Sequence, residues 1–465
     1  MINQSEKNKI SKYNIITPLP GKDGDHVVAN YLSGAVDLIS GEDYADLMDG
    51  AAKNNWDQYE HKGYLVERGY LYPDDKAEEE LVEKERRKYK ESYDLTQVQI
   101  VFVPTYACNF SCHYCFQHEY SNPGVRLNSS ITDHFFDYIN NQFINEKAKP
   151  YITLFGGEPL LNEPGFRKEI LYFLKRAAFF NYEIAIVTNA FELKTSLSEI
   201  LATGVTIKEL QITVDGPPRL HNSIRFTPHE KDTFSRIAEG VDEALSLGLR
   251  INFRVIVDKN NIYSLPELAQ YCTDKGWIGH SSGKFFTAIG RSYDLHGCQT
   301  GNHMLTRSEL WEKFADLAEE YPVLKKFYKP DFHGMTHLYE TGKLKEPVFD
   351  SCPACKKEWA YDVNGNIYSC TASVGNTNFK LGSFLNGGVI YDQKSIDMLK
   401  NRSVFTIEKC STCAESLSCG GGCAVVAHNN SGTYSAPDCR PVKEIIATGI
   451  KYYKLNDKNK EENSI

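Results

Sequence analysis

Cys108, Cys112 and Cys115 stand in the run Cys-Asn-Phe-Ser-Cys-His-Tyr-Cys, a C-x3-C-x2-C spacing. It follows directly on an apolar stretch, Val98 to Val103, that alternates like a buried strand. Thiolates are soft ligands, and three of them on one loop can hold a metal cluster at three corners. The fourth corner is then open. A structural metal site fills all its positions from protein, whereas an open position is where chemistry happens. Zinc bound by the three cysteines and His113 is a competing use, disfavoured because that histidine is squeezed between two cysteines. Disulfide pairing also fits poorly, since the first 25 residues lack the apolar core of a secretory signal.

Eight further cysteines lie toward the other end of the chain. Cys352 and Cys355 come first, then Cys370 with Gly365 before it, then Cys410, Cys413, Cys419 and Cys423, and finally Cys439. Taken alone, Cys410-x2-Cys413 would read as half of a zinc ribbon. Three plus eight uses eleven of the thirteen cysteines. Cys272 and Cys298 remain, and small buried apolar side chains are their expected role. Gly420-Gly421-Gly422 gives the backbone freedom to fold tightly between Cys419 and Cys423.

These residues need a frame. From Thr96 to about residue 290, strand-like runs at 97–103, 150–155, 182–188, 208–214, 251–257 and 284–289 alternate with helix-like ones. The helices fall near 130–146, 164–178, 193–203, 233–247 and 264–275, and the alternation predicts an α/β architecture of parallel units. Sites in such sheets gather at the carboxyl ends of strands. Gly156-Gly157-Glu158-Pro159, Thr188-Asn189 and Asp215-Gly216-Pro217 each fall at such an end. Arg254 lies inside its strand, where an unpaired charge is costly, so it must reach a carboxylate or the mouth of the sheet.

The C-x3-C-x2-C spacing, Tyr114 before its last cysteine and the downstream Gly156-Gly157-Glu158-Pro159 together resemble the radical S-adenosylmethionine (radical SAM) superfamily. The resemblance implies a partial (β/α)6 barrel with a 4Fe–4S cluster on Cys108, Cys112 and Cys115. SAM would chelate the fourth iron, and one electron would cleave it to a 5′-deoxyadenosyl radical that takes hydrogen from a substrate. The resemblance further implies that Tyr114, Gly156, Gly157, Glu158, Thr188, Asn189, Asp215, Arg225 and Arg254 bind SAM. Asp215, His221 and Arg225 reproduce a D-G-P…H-x-x-x-R string common in the peptide-modifying branch; bracing of a loop by an Asp215–Arg225 pair is the equal alternative.

The carboxyl-terminal cysteines resemble the SPASM extension of that superfamily, which carries auxiliary 4Fe–4S clusters. Mapped residue by residue, Cys352, Cys355, Cys370 and Cys423 hold the first cluster, and Cys410, Cys413, Cys419 and Cys439 the second. If Cys352 does not ligate, the first cluster keeps an open iron. The cofactors implied are therefore three 4Fe–4S clusters and SAM.

The expected organisation is a small α+β module at 1–74, a charged linker helix at 75–93 and the radical SAM core at 94–300. A bridging region at 301–350, the cysteine-rich iron–sulfur domain at 351–441, and a helix and tail at 442–465 complete it. Within 1–74 a hairpin is expected around Ser33-Gly34, a helix from Glu42 and a strand at Gly63-Tyr64-Leu65-Val66. The module would either bind the leader part of a precursor peptide or serve as a structural appendage.

The net charge of −9 argues against general nucleic-acid binding. No apolar run approaches the roughly 20 residues of a membrane helix, so a cytoplasmic protein is expected. SPASM enzymes mostly act on peptides or proteins. In the sulfatase-maturing branch an Asp follows the cysteine equivalent to Cys370 and serves as base, but here Thr371 stands there. The reading therefore favours a maturase that forms a thioether or carbon–carbon cross-link in a ribosomally made peptide. A formylglycine-generating oxidase and a non-catalytic iron–sulfur scaffold are the alternatives. The partners implied are a precursor peptide or protein substrate and a small redox protein as electron donor, and no catalytic base is singled out.

Overall fold

The structure, a computed structural model, describes residues 8–19, 21–53, 55–56, 59–112, 114–115, 117, 120, 125–292 and 303–454. His113 and Cys298 lie outside these described residues. The chain opens with β1 (Lys9–Ile10) and an antiparallel sheet of β2 (Asn14–Pro18), β3 (His26–Asn30) and β4 (Ala35–Ile39). Gly34, at φ +80, makes the turn of the expected hairpin. Helices α1 (Gly41–Lys53) and α2 (Lys62–Glu67) follow, and β5 (Leu71–Tyr72) pairs back with β1.

The strand expected at 63–66 is instead part of α2. The reason is one carboxylate: Asp37 accepts from the Tyr64 hydroxyl at 2.6 Å and from Arg68 Nε at 2.7 Å. Two partners four residues apart meet one point only on a helix. The charged helix α3 (Asp75–Leu95) begins at Asp74, whose side chain accepts from Ala77 N–H, and buries Val82 and Glu85. Tyr89 of α3 packs edge-on against Phe349, so this helix is docked to the far end of the chain.

The β/α alternation is present as expected. It runs β6 (Gln99–Val103), α4 (Ser129–Gln142), β7 (Tyr151–Leu154), α5 (Pro164–Phe179), β8 (Ile184–Thr188) and α6 (Leu193–Ala202). It continues with β9 (Ile207–Val214), α7 (Pro218–Ile224), α8 (Thr233–Ser246), β10 (Ile251–Val257), α9 (Leu265–Asp274) and β11 (Phe285–Arg291). Neighbouring strands from β6 to β11 are all parallel. In β10 burial alternates residue by residue, so Phe253 faces the helices while Asn252 and Arg254 face the barrel. Cys272 is fully buried in α9, as expected.

Helices α10 (Arg307–Glu320), α11 (Val323–Phe327) and α12 (Met335–Thr341) lead to the cysteine-rich part. That part contains β12 (Glu358–Asp362), β13 (Asn366–Tyr368), β14 (Gly382–Ser383), β15 (Val389–Ile390) and α13 (Gln393–Lys400). The short helices α14 (Glu408–Ser411), α15 (Ser416–Cys419) and α16 (Ala424–Ser431) come next, and α17 (Val442–Tyr453) closes the described chain. β12 adds to the barrel sheet, parallel to β6, with Glu358 opposite Gln99 and Asp362 opposite Val103. One ten-stranded sheet results, in the order β11-β10-β9-β8-β7-β6-β12-β13-β14-β15. Because the pairing is parallel, the turn after β12 arrives at the barrel mouth, where the Cys108 loop begins. Among the described residues, no helix is long and apolar enough to cross a membrane.

Candidate functional site

The loop carrying Cys108, Cys112 and Cys115 leaves the carboxyl end of β6 and is fastened by three backbone bonds from two sides. Gly157 N–H donates to Thr105 O at 3.0 Å, Glu158 N–H to Ala107 O at 2.9 Å, and Ser111 N–H to Phe226 O at 3.1 Å. Gly157 has no room for a side chain: a Cβ there would lie 2.0 Å from Ala107 O. That close approach is why two glycines follow β7.

Glu158 is buried and accepts three bonds. The Thr188 hydroxyl and Asn189 N–H each donate at 2.7 Å, and Leu160 N–H donates at 2.9 Å. Burial nevertheless wins over these donors and pushes its carboxyl up to about 7. The Asn189 amide continues the chain, donating to Asn109 Oδ1 at 2.8 Å and approaching Cys108 Sγ at 3.8 Å. Glu158, Thr188 and Asn189 therefore brace the cysteine loop from the β7–β8 side.

Tyr114, Asp215 and Arg225 brace it from the other side. The Tyr114 hydroxyl donates to Asp215 Oδ2 and accepts from Arg225 Nη1, and the two charged groups lie 3.8 Å apart, both buried. Arg225 also sits over the Phe110 ring. Arg225 Nε and His221 Nε2 are buried without hydrogen-bond partners, which leaves polar capacity for a ligand. Arg254 faces the barrel interior, and its guanidinium needs the bare backbone of Gly290, where a Cβ would come within 3.0 Å of it. Among the described residues, no carboxylate lies within ion-pair distance of Arg254.

A cavity of about 440 Å³ opens beside Cys108 and Cys115. Its far wall is Val363 and Asn364, the turn after β12, so core and cysteine-rich part build it together. Gln117 lines it, is buried, and has no partner for its Nε2. Asp362 holds the turn in place, accepting from the Tyr106 hydroxyl at 3.0 Å, the Tyr368 hydroxyl at 3.1 Å and Asn364 N–H at 3.0 Å.

The eight remaining candidate cysteines fall into two neighbourhoods. Cys352 lies close enough to Cys355, Cys370 and Cys423 for its charge to raise each of their thiol pKa values, on top of the larger effect of burial. Cys413, Cys419 and Cys439 act in the same way on Cys410, whose thiol burial pushes up to about 11. Cys355 adopts φ +58, held there by two bonds from its N–H to Glu358 O and Ser369 O. A non-glycine residue in that region stores strain and signals a constrained site.

The donor set fits the implied clusters. Burial pushes Cys108 up to about 12 and Cys112 to about 11, so these thiols stay protonated unless a metal displaces the proton. All the gathered donors are sulfur, the choice of iron–sulfur clusters. Among the described residues, no three His, Cys, Asp or Glu side chains converge as a single metal ion requires.

Comparison with known proteins fits this geometry. Residues 102–272, which hold the three-cysteine loop and strands through β10, match the family model of the radical SAM superfamily. The chain carries a radical SAM domain. The cysteine-type anaerobic sulfatase-maturating enzyme of Clostridium perfringens is 21% identical over 364 residues, spanning 74% of this chain and 90% of that protein. A GTP 3′,8-cyclase of Sulfurimonas denitrificans is 25% identical over 276 residues, spanning 57% of this chain and 78% of that one. The fold is shared beyond the radical SAM domain. The structure of anSMEcpe with bound AdoMet and Cp18Cys peptide superposes with a TM-score of 0.57 at 17% identity, covering 79% of this chain and all of that one. Streptococcus suis SuiB gives 0.51 at 16% identity and covers 93% of this chain and 99% of its own.

Asn109, Gln117 and Asp362 are site residues that sequence reasoning missed. Asn109 follows Cys108 directly, and its position inside the motif could have drawn attention. The other two carry no local signal.

Proposed function

We propose that this radical SAM enzyme is a peptide maturase that abstracts hydrogen from a ribosomally synthesised precursor and closes a thioether or carbon–carbon cross-link. The observation that supports it most is the pair of four-cysteine neighbourhoods beside an open three-cysteine loop. When bound, the clusters and SAM supply one-electron cleavage to a hydrogen-abstracting radical and a place for the electron the product gives up. Cys108, Cys112 and Cys115 would hold the SAM-binding cluster. Cys352, Cys355, Cys370 and Cys423 would hold one auxiliary cluster, and Cys410, Cys413, Cys419 and Cys439 the other.

The chain's own residues orient and enclose. Arg254, with no carboxylate of its own, is suited to the carboxylate of SAM. Glu158 and Asn189 on one side, and Tyr114, Asp215 and Arg225 on the other, keep the cysteine loop rigid and act on SAM through it. The cavity between Gln117 and Asn364 is where a peptide would meet the radical away from water. The amino-terminal module presents β4 as an edge strand of its small sheet, a place for a leader segment to pair. We place the enzyme in the cytoplasm, with a small redox protein as electron donor.

A sulfatase-type oxidase is the second reading, favoured by the likeness to the Clostridium perfringens protein. Thr371 weighs against it. Its hydroxyl and its N–H are both committed to Glu358, so it offers no base at that position. The GTP 3′,8-cyclase relatives align over 36% to 57% of this chain.

Incubating anaerobically reconstituted enzyme with SAM, a strong reductant and a cysteine-containing precursor peptide separates these readings. The maturase predicts 5′-deoxyadenosine and a peptide that has lost two hydrogens with its heavy atoms unchanged. Exchange of the thiol sulfur for an aldehyde oxygen would establish the second reading. Absence of SAM cleavage would overturn both.

A further inference from the structure

Arg402 is among the most enclosed charges in the molecule, with 1% of its side chain accessible. Its guanidinium is spent on carbonyl oxygens. Nε donates to Tyr434 O at 2.9 Å and Nη1 to Gly422 O at 3.0 Å. Nη2 donates to Gly421 O at 2.7 Å and to Ala436 O at 3.0 Å. These carbonyls belong to the segments that carry the candidate ligands. Gly421 and Gly422 lie between Cys419 of one group and Cys423 of the other, and Ala436 stands three residues before Cys439.

The fork also reaches the segment before Cys352. Asp350 Oδ1 lies 3.9 Å from Arg402 Nη1 and accepts from Cys352 N–H at 3.0 Å. One planar side chain thus touches the backbone around ligands of both groups. The glycine run makes this possible, because Gly420, Gly421 and Gly422 all take positive φ, from +63 to +78, and turn their carbonyls inward.

The charge is satisfied but not neutralised. Asp350 is the carboxylate beside Arg402, and it is shared with Lys356, whose Nζ lies 2.8 Å from Oδ2. Two cations against one carboxylate leave a net charge of +1 in a buried place. The other charges facing the two groups are of both signs and lie farther from the guanidinium than Asp350 does. Asp438 accepts from Cys423 N–H and is paired with Arg307, Lys400 and Asp392 both approach Cys355, Glu358 approaches Cys370, and Arg440 approaches Cys419. A buried cation of this kind is costly unless an anion is close.

On the two-group reading proposed above, we infer that Arg402 is a positioning residue for both auxiliary clusters and the buried counter-charge that raises their reduction potentials. A fixed positive charge favours the state with one more electron, and its removal makes that electron harder to add.

The test uses the full-length chain with Cys108, Cys112 and Cys115 all replaced by Ala, so that only the auxiliary groups bind iron. Redox titration is followed by electron paramagnetic resonance. Arg402→Gln should shift the auxiliary midpoints to more negative potential. Arg402→Lys keeps the charge, loses the fork, and should shift them less while losing iron more readily on gel filtration. Asp350→Asn removes the local anion but keeps the acceptor for Cys352 N–H, and should shift them positive.

Unchanged midpoints in Arg402→Gln with iron intact would overturn the inference. So would an Arg402→Lys shift as large as that of Arg402→Gln, or a negative shift in Asp350→Asn. If Arg402→Gln cannot hold iron, the Asp350→Asn arm decides alone: a positive shift supports the inference, and anything else overturns it. A parent chain that takes up no iron overturns the two-group reading itself, and the iron assay alone tells that result apart.

Discussion

Single residues divide into those whose spacing announces them and those whose partners are backbone. The three-cysteine loop was legible because its ligands are neighbours in sequence and thiols have few other uses in such density. Arg402 was not, because backbone carbonyls leave no signature in a side-chain pattern. Gly157 lies between these cases, since a Gly-Gly turn after a strand is common and only the structure shows Ala107 O in the way. Gly157→Ala should displace the cysteine loop and lower 5′-deoxyadenosine yield roughly 10- to 100-fold, the penalty for misplacing a reacting group by about an ångström. Iron retained at the auxiliary cysteines, measured alongside, separates that effect from unfolding. Of the residues that the resemblance gives to SAM, Tyr114, Glu158, Thr188, Asn189, Asp215 and Arg225 bond to one another and to the cysteine loop, and Arg254 has no ion-pair partner among the described residues.

Elements were read well where hydrophobic periodicity was strong and badly where one polar residue decided. All six barrel strands were expected within two residues of their ends, because each is an apolar run bounded by turn residues. The stretch 63–66 also reads as an apolar run, but Asp37 recruits Tyr64 and Arg68 and makes it a helix. Helix α8 shows how a cap reaches the site. Asp232 accepts from Ser235 N–H and from the Asn222 amide of α7, the helix between Asp215 and Arg225. The Ser235 hydroxyl and the Asn222 amide hold its carboxyl below the ordinary value of 3.8. A lowered carboxyl pKa adds stability that is present above the unfolded value and is lost as pH falls through the folded one. Asp232→Ala should cost about 1 kcal/mol near neutral pH. In urea titrations the difference from the parent should shrink as the pH is taken below the ordinary carboxylate range.

At the scale of the whole molecule, the radical SAM domain and the cysteine-rich part share one sheet and one core. Phe135 of α4 packs against Phe102 and Phe173 of the barrel and against Tyr361 and Phe384 of the cysteine-rich part. Phe135→Ala should destabilise the protein by about 3–5 kcal/mol, and both parts should unfold in a single transition when followed by tryptophan fluorescence and by iron release. Two separate transitions would show that β12 is an accessory strand only. No periodicity could have announced the β6–β12 pairing, since Tyr106 and Asp362, which tie the two parts together, are 256 residues apart. The pairing ties Cys355 and Cys370, on either side of β12 and β13, into one sheet with the Cys108 loop, as electron transfer between clusters held there would require. The proposed function requires one open cluster site and two closed ones in one rigid frame. Counting iron and acid-labile sulfide in the anaerobically reconstituted chain tests it most directly. About twelve irons per chain, falling to about eight when Cys108, Cys112 and Cys115 are all replaced by Ala, is the predicted result; about four in the parent, or no loss in the triple variant, would contradict it.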